Sequence, residues 1–445
     1  MTSENAFDSA IIGGGISGLC AAYYLQKIQK KIALIEAANP GGVIRSESIS
    51  GFTIECGPNV LLLKAELKEL LQELGLADSL AYPQIKNYKQ MVYINNSAIA
   101  VPKSLFAFLA TPLIKRKDKY KIARNIFKTG IFPQLTDDLS VSDFFAGILG
   151  REAVEKVVDP VLQGIYGGDV SKLSARSVFP QIYEKIINGG SFFSAIRERS
   201  RAIQKPQTVT LKTGIQILIQ RLLESLTSNV ETINREVRDI TKEGDLYRVL
   251  LSSGDSIVTK NLIIATAAGK TAAYLKTFIP DLAEHLYKIR SASLCVVHAA
   301  AKELPAHYLD SFGVLLPSSL NTPLLGVMFN SVIFPHVAAG DRHLLTLCYG
   351  GIRQPDFLEC DDTYIVSFAE EDLRNKFGIS NSEVIKITRW RDVIPQYELG
   401  HFLTQQMMGE AEKLSRGLFF IGSDRGGVGV ADRIKTVRQM ISAFC

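Results

Sequence analysis

No stretch of about 18 consecutive apolar residues occurs anywhere in these 445 residues, so a membrane-crossing helix is not expected. Closely spaced cysteines are also missing. Cys20, Cys56, Cys295, Cys348, Cys360 and Cys445 lie far apart with no C-x-x-C spacing, which argues against a zinc site or a disulfide framework and fits reduced thiols. The six histidines show no metal-ligand spacing, so no metal is expected, and tryptophan occurs once, at Trp390. There is no Pro/Gly/Ser-rich tract to suggest a disordered arm. The net charge of +5 and pI near 8.7 lack the dense Lys/Arg clustering of a nucleic-acid binder, so no nucleic acid is expected; an acidic substrate or an anionic membrane surface remains compatible. Residues 1–8 are polar and acidic, unlike a secretory signal, and a cytoplasmic location is expected. Paired carboxylates for hydrolysis and an activated serine are not evident.

At this length one hydrophobic core is too few, and two or three domains are expected. With 47% hydrophobic and 21% charged residues the whole chain should fold. Residues 9–12 read as a buried strand, 19–28 as a helix and 32–36 as a second strand, with a glycine turn between the first two. That turn is Gly13-x-Gly15-x-x-Gly18, and Glu36 ends the next strand. Glycines here permit a tight turn, close approach of a pyrophosphate and close helix–strand packing; the helix N-terminus favours the anion, and Glu36 can accept from an adenosine ribose hydroxyl.

NAD and FAD share that fingerprint. Gly41-Gly42-x-x-Arg45, a few residues after the second strand, points to FAD, because paired glycines pass close to a diphosphate and a forked guanidinium binds its oxygens. A third element closes the chain: a strand at 418–421, a glycine-rich turn at 422–429 and a helix with Ile434, Val437 and Ile441 on one face. Such a helix can aim its N-terminus at the flavin N1 and C2 carbonyl, where negative charge develops on reduction.

Between these elements, residues 61–74 read as a helix followed by Gly75. Residues 102–201 are helical and basic, including a run at 115–121; Ile114, Tyr120, Ile122, Ile126 and Phe127, interleaved with the lysines, suit an amphipathic membrane-surface helix. Strands return at 209–211, 230–233, 246–251, 256–258 and 262–265. Short apolar runs at 292–350 read as an antiparallel sheet and a second domain.

Five internal blocks carry a resemblance: Glu55-Cys56-Gly57-Pro58-Asn59, residues 164–180 around Gly167-Gly168-Asp169, residues 312–318, residues 325–331, and Ile394-Pro395-Gln396-Tyr397 with Gly400-His401. In this order, and over nearly the whole chain, they resemble the oxygen-dependent protoporphyrinogen oxidases, a family that includes coproporphyrinogen oxidases.

The resemblance implies an α/β fold: a Rossmann-like FAD-binding domain from discontinuous segments (1–60, 205–270, 405–445), a mixed-sheet substrate domain (61–100, 271–404), and an inserted helical domain (101–204) that docks on a membrane. It implies noncovalent FAD held by Gly13, Gly15, Ser17, Gly18, Glu36, Gly41, Gly42, Arg45, Gly57, Pro58, Asn59, Val237, Gly422, Gly427, Val428, Gly429 and Val430. It further implies oxidation of a porphyrinogen to a porphyrin, with O2 as electron acceptor and H2O2 formed, in haem biosynthesis, and often a homodimer. Leu315, Leu316 and Phe329 would clamp the tetrapyrrole, with Gly167 and Gly168 letting backbone approach it. Arg176, Arg197, Lys103 and Lys185 are the cations offered for its propionates, and the segment 93–102 contains no arginine where well-known members place one. Membrane docking favours the less polar protoporphyrinogen, with coproporphyrinogen a close second.

Two other readings stay open. Amine oxidases and carotenoid desaturases share this scaffold, and fold does not fix substrate. A flavoprotein that binds a tetrapyrrole without oxidising it would carry the same pocket.

Overall fold

The strand Phe7–Ile12 lies between two parallel partners, Ile32–Glu36 and Ser256–Ile264. The computed structural model describes residues 6–102, 105–131, 138–202 and 206–444. Val230–Asn234 extends this sheet in parallel beyond Ile32–Glu36, and Leu418–Phe420 pairs in parallel with the last third of Ser256–Ile264. The first part of that long strand pairs instead with the antiparallel hairpin Val237–Glu243 and Leu246–Leu251. Helices cover both faces, so the central strands are apolar on both. Ile11, Leu34 and Ile263 point to one side, with Leu19 and Tyr23 of helix Ile16–Leu25 and Ile434 and Val437 of helix Val430–Ile441. Ile12, Ile35 and Ile264 point to the other, against Ala272 of helix Ala268–Leu275 and Leu282 of helix Pro280–Tyr287. Each such fully buried side chain contributes about 1.5–3 kcal/mol.

The second sheet runs Ser382–Pro395, Ser291–Ala301, His343–Gly350, Leu324–Met328, Ser311–Leu315, Lys89–Ile94 and Ser97–Ala100. All its neighbours are antiparallel except Ser311–Leu315 with Lys89–Ile94, so it is mixed rather than purely antiparallel. Helix Asp362–Phe377 seals one face with Ile365, Ala369 and Leu373. Residues 141–202 form a helical cluster around Phe144, Phe145, Ile182 and Tyr183. Among the described residues no helix is long and apolar enough to cross a membrane. This is the mixed α/β architecture expected of the chain, a Rossmann-like parallel core assembled from distant segments and joined to a mixed sheet and a helical insertion.

Several local expectations change. The helix expected over 61–74 is a strand Leu61–Leu63 followed by a helix Ala65–Glu73. The leucines extend because Gln207–Leu211 pairs with them, and that strand also pairs with Leu80–Ala81, so it forms a small separate sheet. Leu67, Leu70 and Leu71 then pack in the core of helix Ile16–Leu25, which places this stretch with the dinucleotide sheet rather than with the substrate sheet. Strand Val237–Glu243, with its charged edge, carried too little apolar alternation to be read. In the basic helix Arg116–Asn125 the amphipathic logic turns inward: Ile114, Ile122 and Ile126 are buried in a protein core, leaving only Tyr120 and Phe127 of the expected apolar set exposed.

Candidate active site

Two glycine segments, 13–18 and 41–42, meet at the carboxyl end of the central strands. The Gly41 N–H donates to the Gly14 carbonyl at 2.8 Å, and Gly15 and Gly41 form a parallel bridge. A Cβ on Gly18 would lie 1.8 Å from the Gly13 carbonyl oxygen, so the helix can start this close to the strand only with glycine there. Gly15 differs, since a Cβ there would meet nothing within 4 Å. Helix Ile16–Leu25 has no side-chain cap, and the buried Ser17 hydroxyl has no hydrogen-bond partner among the described residues. Open space, uncapped N–H groups and an orphaned hydroxyl are what a pyrophosphate would fill and satisfy. The Glu36 carboxylate accepts the N–H groups of Gly14 and Ala38, which fixes it beside the turn. Val237 is buried in the cluster that holds Ile12 and Ile35. The residues present therefore fit a dinucleotide.

The cradle continues through residues 41–59. A Cβ on Gly57 would lie 1.9 Å from the Val43 carbonyl oxygen, and the Cys56 N–H donates to the Arg45 carbonyl at 2.8 Å, so the two segments run in contact. Arg45 pairs with Glu47 at 3.1 Å, and its guanidinium carbon stands 5.7 Å from the Trp390 ring centroid. Trp390 Nε1 donates to the Cys56 carbonyl, bringing the second sheet onto the cradle. Pro58 is half-buried beside it. Asn59 Oδ1 accepts from Asn330 Nδ2 at 2.9 Å and from Thr346 at 3.2 Å, so this residue ties the cradle to the second sheet.

The C-terminal turn is more structured than a loop of glycines: Gly422 opens a short helix Ser423–Gly426, after which Gly427, Val428 and Gly429 lead into Val430 at the uncapped start of helix Val430–Ile441. Its position is fixed from outside. Tyr397 donates its hydroxyl to the Ser423 carbonyl and stacks on His401 at 4.2 Å, and His401 Nε2 lies 3.0 Å from the Asp424 carbonyl oxygen, which it reaches as an N–H donor. Burial lowers the His401 pKa to about 4 and raises that of the Asp424 carboxyl to about 6.

A tilted pair of tyrosine rings carries this turn to a cavity. The Tyr397 ring lies 5.8 Å from that of Tyr166, which ends helix Asp159–Tyr166 immediately before Gly167 and Gly168. Those two glycines line a cavity of about 360 Å³. The backbone is crowded here: a Cβ on Gly168 would lie 2.5 Å from Gln396 Oε1, and the Ile352 N–H donates to the Gly167 carbonyl at 2.7 Å.

The structure does not gather the expected clamp at this cavity. Leu316 and Phe329 are fully buried in the core of the second sheet, Phe329 against Tyr308, and half-buried Leu315 packs on Gly164. Leu325 lines the cavity instead. The expected cations are elsewhere too. The Arg176 guanidinium sits over the Phe402 ring at 3.9 Å, Lys185 pairs with Glu198 at 2.7 Å, Arg197 lies on the exposed side of helix Phe192–Ala202, and Lys103 lies outside the described residues. The cations that do line it are Lys172, Arg290 and Arg353. None belongs to a periodic pattern. Lys172 stood inside the 164–180 block without distinction, and Arg290 and Arg353 arrive from two remote segments.

A doubly covered dinucleotide sheet, a second mixed sheet laid on its glycine cradle and a cavity next to the joint define an oxidoreductase of the two-sheet flavoprotein class. The chain belongs to the flavin-containing amine oxidoreductase family, whose profile matches residues 16–432. It is 27% identical over 463 aligned positions to coproporphyrinogen III oxidase of Bacillus subtilis, covering 97% of this chain and 96% of that one. It is 26% identical to protoporphyrinogen oxidase 2 of Arabidopsis thaliana, over 96% and 91% of the two chains. A candidate protoporphyrinogen oxidase from Exiguobacterium sp. 255-15 superposes with a TM-score of 0.82 at 23% identity, over 100% and 99% of the chains, and so shares the fold. The family resemblance carried by the internal blocks is borne out, and the cofactor is FAD.

Proposed function

We propose that this protein oxidises a porphyrinogen to a porphyrin in haem biosynthesis, with O2 as the electron acceptor. The observation that carries the reading is the path from the 422–429 turn through Tyr397 and Tyr166 to the cavity at Gly167 and Gly168. All five internal blocks contribute to the site: Cys56 and Asn59, residues 166–168, Ser318, Leu325 and Asn330, and Gln396 and Tyr397. Full-length relatives named for oxidation of two porphyrinogens support it further.

Bound FAD would supply the redox chemistry, taking hydride from the substrate in successive two-electron steps and passing electrons to O2 to give H2O2. The chain's own work is placement. Gly15, the first turn of helix Ile16–Leu25 and Ser17 would hold the pyrophosphate, with Gly41, Gly42 and Arg45 across it and Glu36 on the ribose. Val237 would meet the adenine, and Gly57, Pro58 and Asn59 would back the flavin ring. The uncapped N–H groups after Gly427, Val428 and Gly429 would face the edge of the ring where charge grows. No residue of the site needs to act as a strong acid or base, since orientation and exclusion of water suffice.

Anaerobic mixing of the purified holoprotein with coproporphyrinogen III or protoporphyrinogen IX should bleach the flavin, and admitting O2 should restore it with release of H2O2. Porphyrinogen binding without bleaching would instead favour a tetrapyrrole carrier. Bleaching by an amine or a carotenoid, and by neither porphyrinogen, would overturn the assignment.

The helical segment 101–204 adds a contact with a membrane surface. Tyr120 is 76% and Phe127 56% exposed, Phe127 packs against exposed Phe193 at 4.8 Å, and Arg116, Lys117, Lys119 and Lys121 lie on the same helix as Tyr120. Basic side chains with two or three aromatic anchors suit adsorption to anionic headgroups. The protein should cosediment with vesicles containing phosphatidylglycerol, lose that binding as salt is raised, and ignore pure phosphatidylcholine. Equal binding to both vesicle types would exclude an electrostatic contact.

A further inference from the structure

We propose that Lys172, Arg290 and Arg353 form a carboxylate-reading subsite in the cavity at Gly167 and Gly168, and that this subsite makes coproporphyrinogen, with four propionates, the preferred substrate over protoporphyrinogen, with two. The inference rests on the porphyrinogen reading. It reverses the preference that membrane docking alone suggested.

Three remote segments converge here, and main-chain bonds tie them to one another. Lys172 follows the turn at Asp169, with its N–H donating to the Asp169 carbonyl at 2.9 Å. Arg353 comes next to Ile352, whose N–H holds the Gly167 carbonyl, and the Arg290 carbonyl accepts from the Gln396 N–H at 2.8 Å. The cations are thus mounted on the backbone that also shapes the two glycines. Between them the wall is amide rather than apolar, with Gln163, Asn321 and Gln354.

Their charges are incompletely matched. Arg353 pairs with Asp169 at 2.8 Å, but the same Asp169 oxygen also accepts from the N–H and hydroxyl of Ser171. Partial burial pushes the Asp169 carboxyl up, yet the Ser171 bonds and the charges of Arg353 and Lys172 hold it below its ordinary range, so a single carboxylate faces two cations. Arg290 pairs with Glu398. Lys172 has no side-chain hydrogen bond or ion pair among the described residues, which leaves one cation over. The remaining nearby carboxyl, Asp159, is buried behind Ser318 and accepts the Ser318 N–H; burial raises its pKa and weakens its claim to the charge.

A tetrapyrrole exceeds a cavity of about 360 Å³, so the cavity receives one edge of it. An edge bearing propionates would satisfy Lys172 and the free faces of the two guanidiniums. Protoporphyrinogen carries propionates on one edge only, so entering by its vinyl edge it would cover those cations and amides without pairing them, whereas coproporphyrinogen presents a propionate whichever edge enters. A site built for polar groups rejects the analogue that lacks them, because its own groups are left unsatisfied.

The test measures binding of coproporphyrin III and protoporphyrin IX to the holoprotein by fluorescence quenching, with KM and kcat for both porphyrinogens, in wild type, Lys172→Met, Arg353→Met and Arg353→Lys. Lys172 and Arg353 are exposed, so the variants should fold, and flavin content checks that they do. The wild type should bind coproporphyrin III more tightly. Each methionine variant should weaken that binding by about tenfold, the scale of a charge-assisted hydrogen bond reduced by exposure, and weaken protoporphyrin IX, which can pair the subsite by one edge only, by no more than about threefold. KM for coproporphyrinogen III should rise in step while kcat holds, and Arg353→Lys should recover most of the loss. Equal weakening of both ligands, or none, overturns the subsite even if both porphyrinogens bleach the flavin. Failure of either porphyrinogen to bleach the wild-type flavin, with neither porphyrin bound, defeats the porphyrinogen reading and the subsite with it.

Discussion

Gly15→Ala should yield a folded protein without flavin, and Gly18→Ala one damaged in both respects. The two glycines sit three residues apart in one turn, yet their surroundings differ. At Gly15 the backbone is extended, at φ −70° and ψ −177°, and an added Cβ meets no protein atom within 4 Å. Apoprotein stability should therefore be unchanged within about 0.5 kcal/mol. The methyl would stand in the space assigned to the pyrophosphate, and loss of close approach to the helix N-terminus should weaken FAD binding by at least about tenfold, or about 1.4 kcal/mol. At Gly18 the methyl would sit 1.8 Å from a backbone oxygen that cannot rotate away. The helix must back off from the strand, at a cost of about 1–3 kcal/mol of folding stability, and the cradle is lost with it. Thermal unfolding of the apoproteins and flavin titration of each variant separate the two effects. Full FAD affinity in Gly15→Ala would show that the pyrophosphate does not pass there.

His298→Leu and Glu55→Gln should tilt the pH dependence of stability in opposite directions. His298 is fully buried in the second sheet, neither ring nitrogen has a hydrogen-bond partner within the distance and angle limits among the described residues, and the nearby Glu55 backbone offsets its burial only in part. Burial lowers its pKa from 6.5 to about 4. Between those values the unfolded chain binds a proton that the native state refuses, so stability is present above pH 6.5 and is lost as pH falls toward 4. Glu55 is the converse. Burial outweighs its bonds from Ser46 and the Ile215 N–H and raises its pKa from 4.5 to about 7. The native state keeps the proton, so stability is present below pH 4.5 and is lost as pH rises toward 7. Relative to wild type, His298→Leu should gain about 2.5 kcal/mol on going from pH 7 to 4.5, and Glu55→Gln about as much on going back. Chemical denaturation at both pH values reads this directly. Profiles parallel to wild type in either variant would mean that the group titrates normally in the native state.

The dinucleotide end of the molecule was legible because its determinants are local. The apolar run ending at Ile12, the glycines at 13–18 and Glu36 fall within one βαβ unit, and the structure keeps them as read, with Gly41 brought against Gly14. Where partners come from far away, local reading failed. Leu61–Leu63 has the spacing of a helix, but edge pairing with Gln207–Leu211 offers its backbone a ladder that sequence periodicity cannot anticipate. Ile122 and Ile126 looked available to a membrane and are consumed by a protein core.

The amino-acid sequence by itself pointed to a flavin dinucleotide and to the 13–18 turn as its expected cradle, since a phosphate-binding glycine turn is a property of a dozen contiguous residues. Only the tertiary structure decided what lines the candidate substrate cavity. It withdrew Leu316 and Phe329 into the sheet core and set Arg176 over Phe402. It brought Lys172, Arg290 and Arg353, from positions more than a hundred residues apart at the extremes, to one cavity. Which side chains share a pocket depends on how strands cross and which faces they bury, and that is fixed by packing across the whole chain rather than by any segment of it.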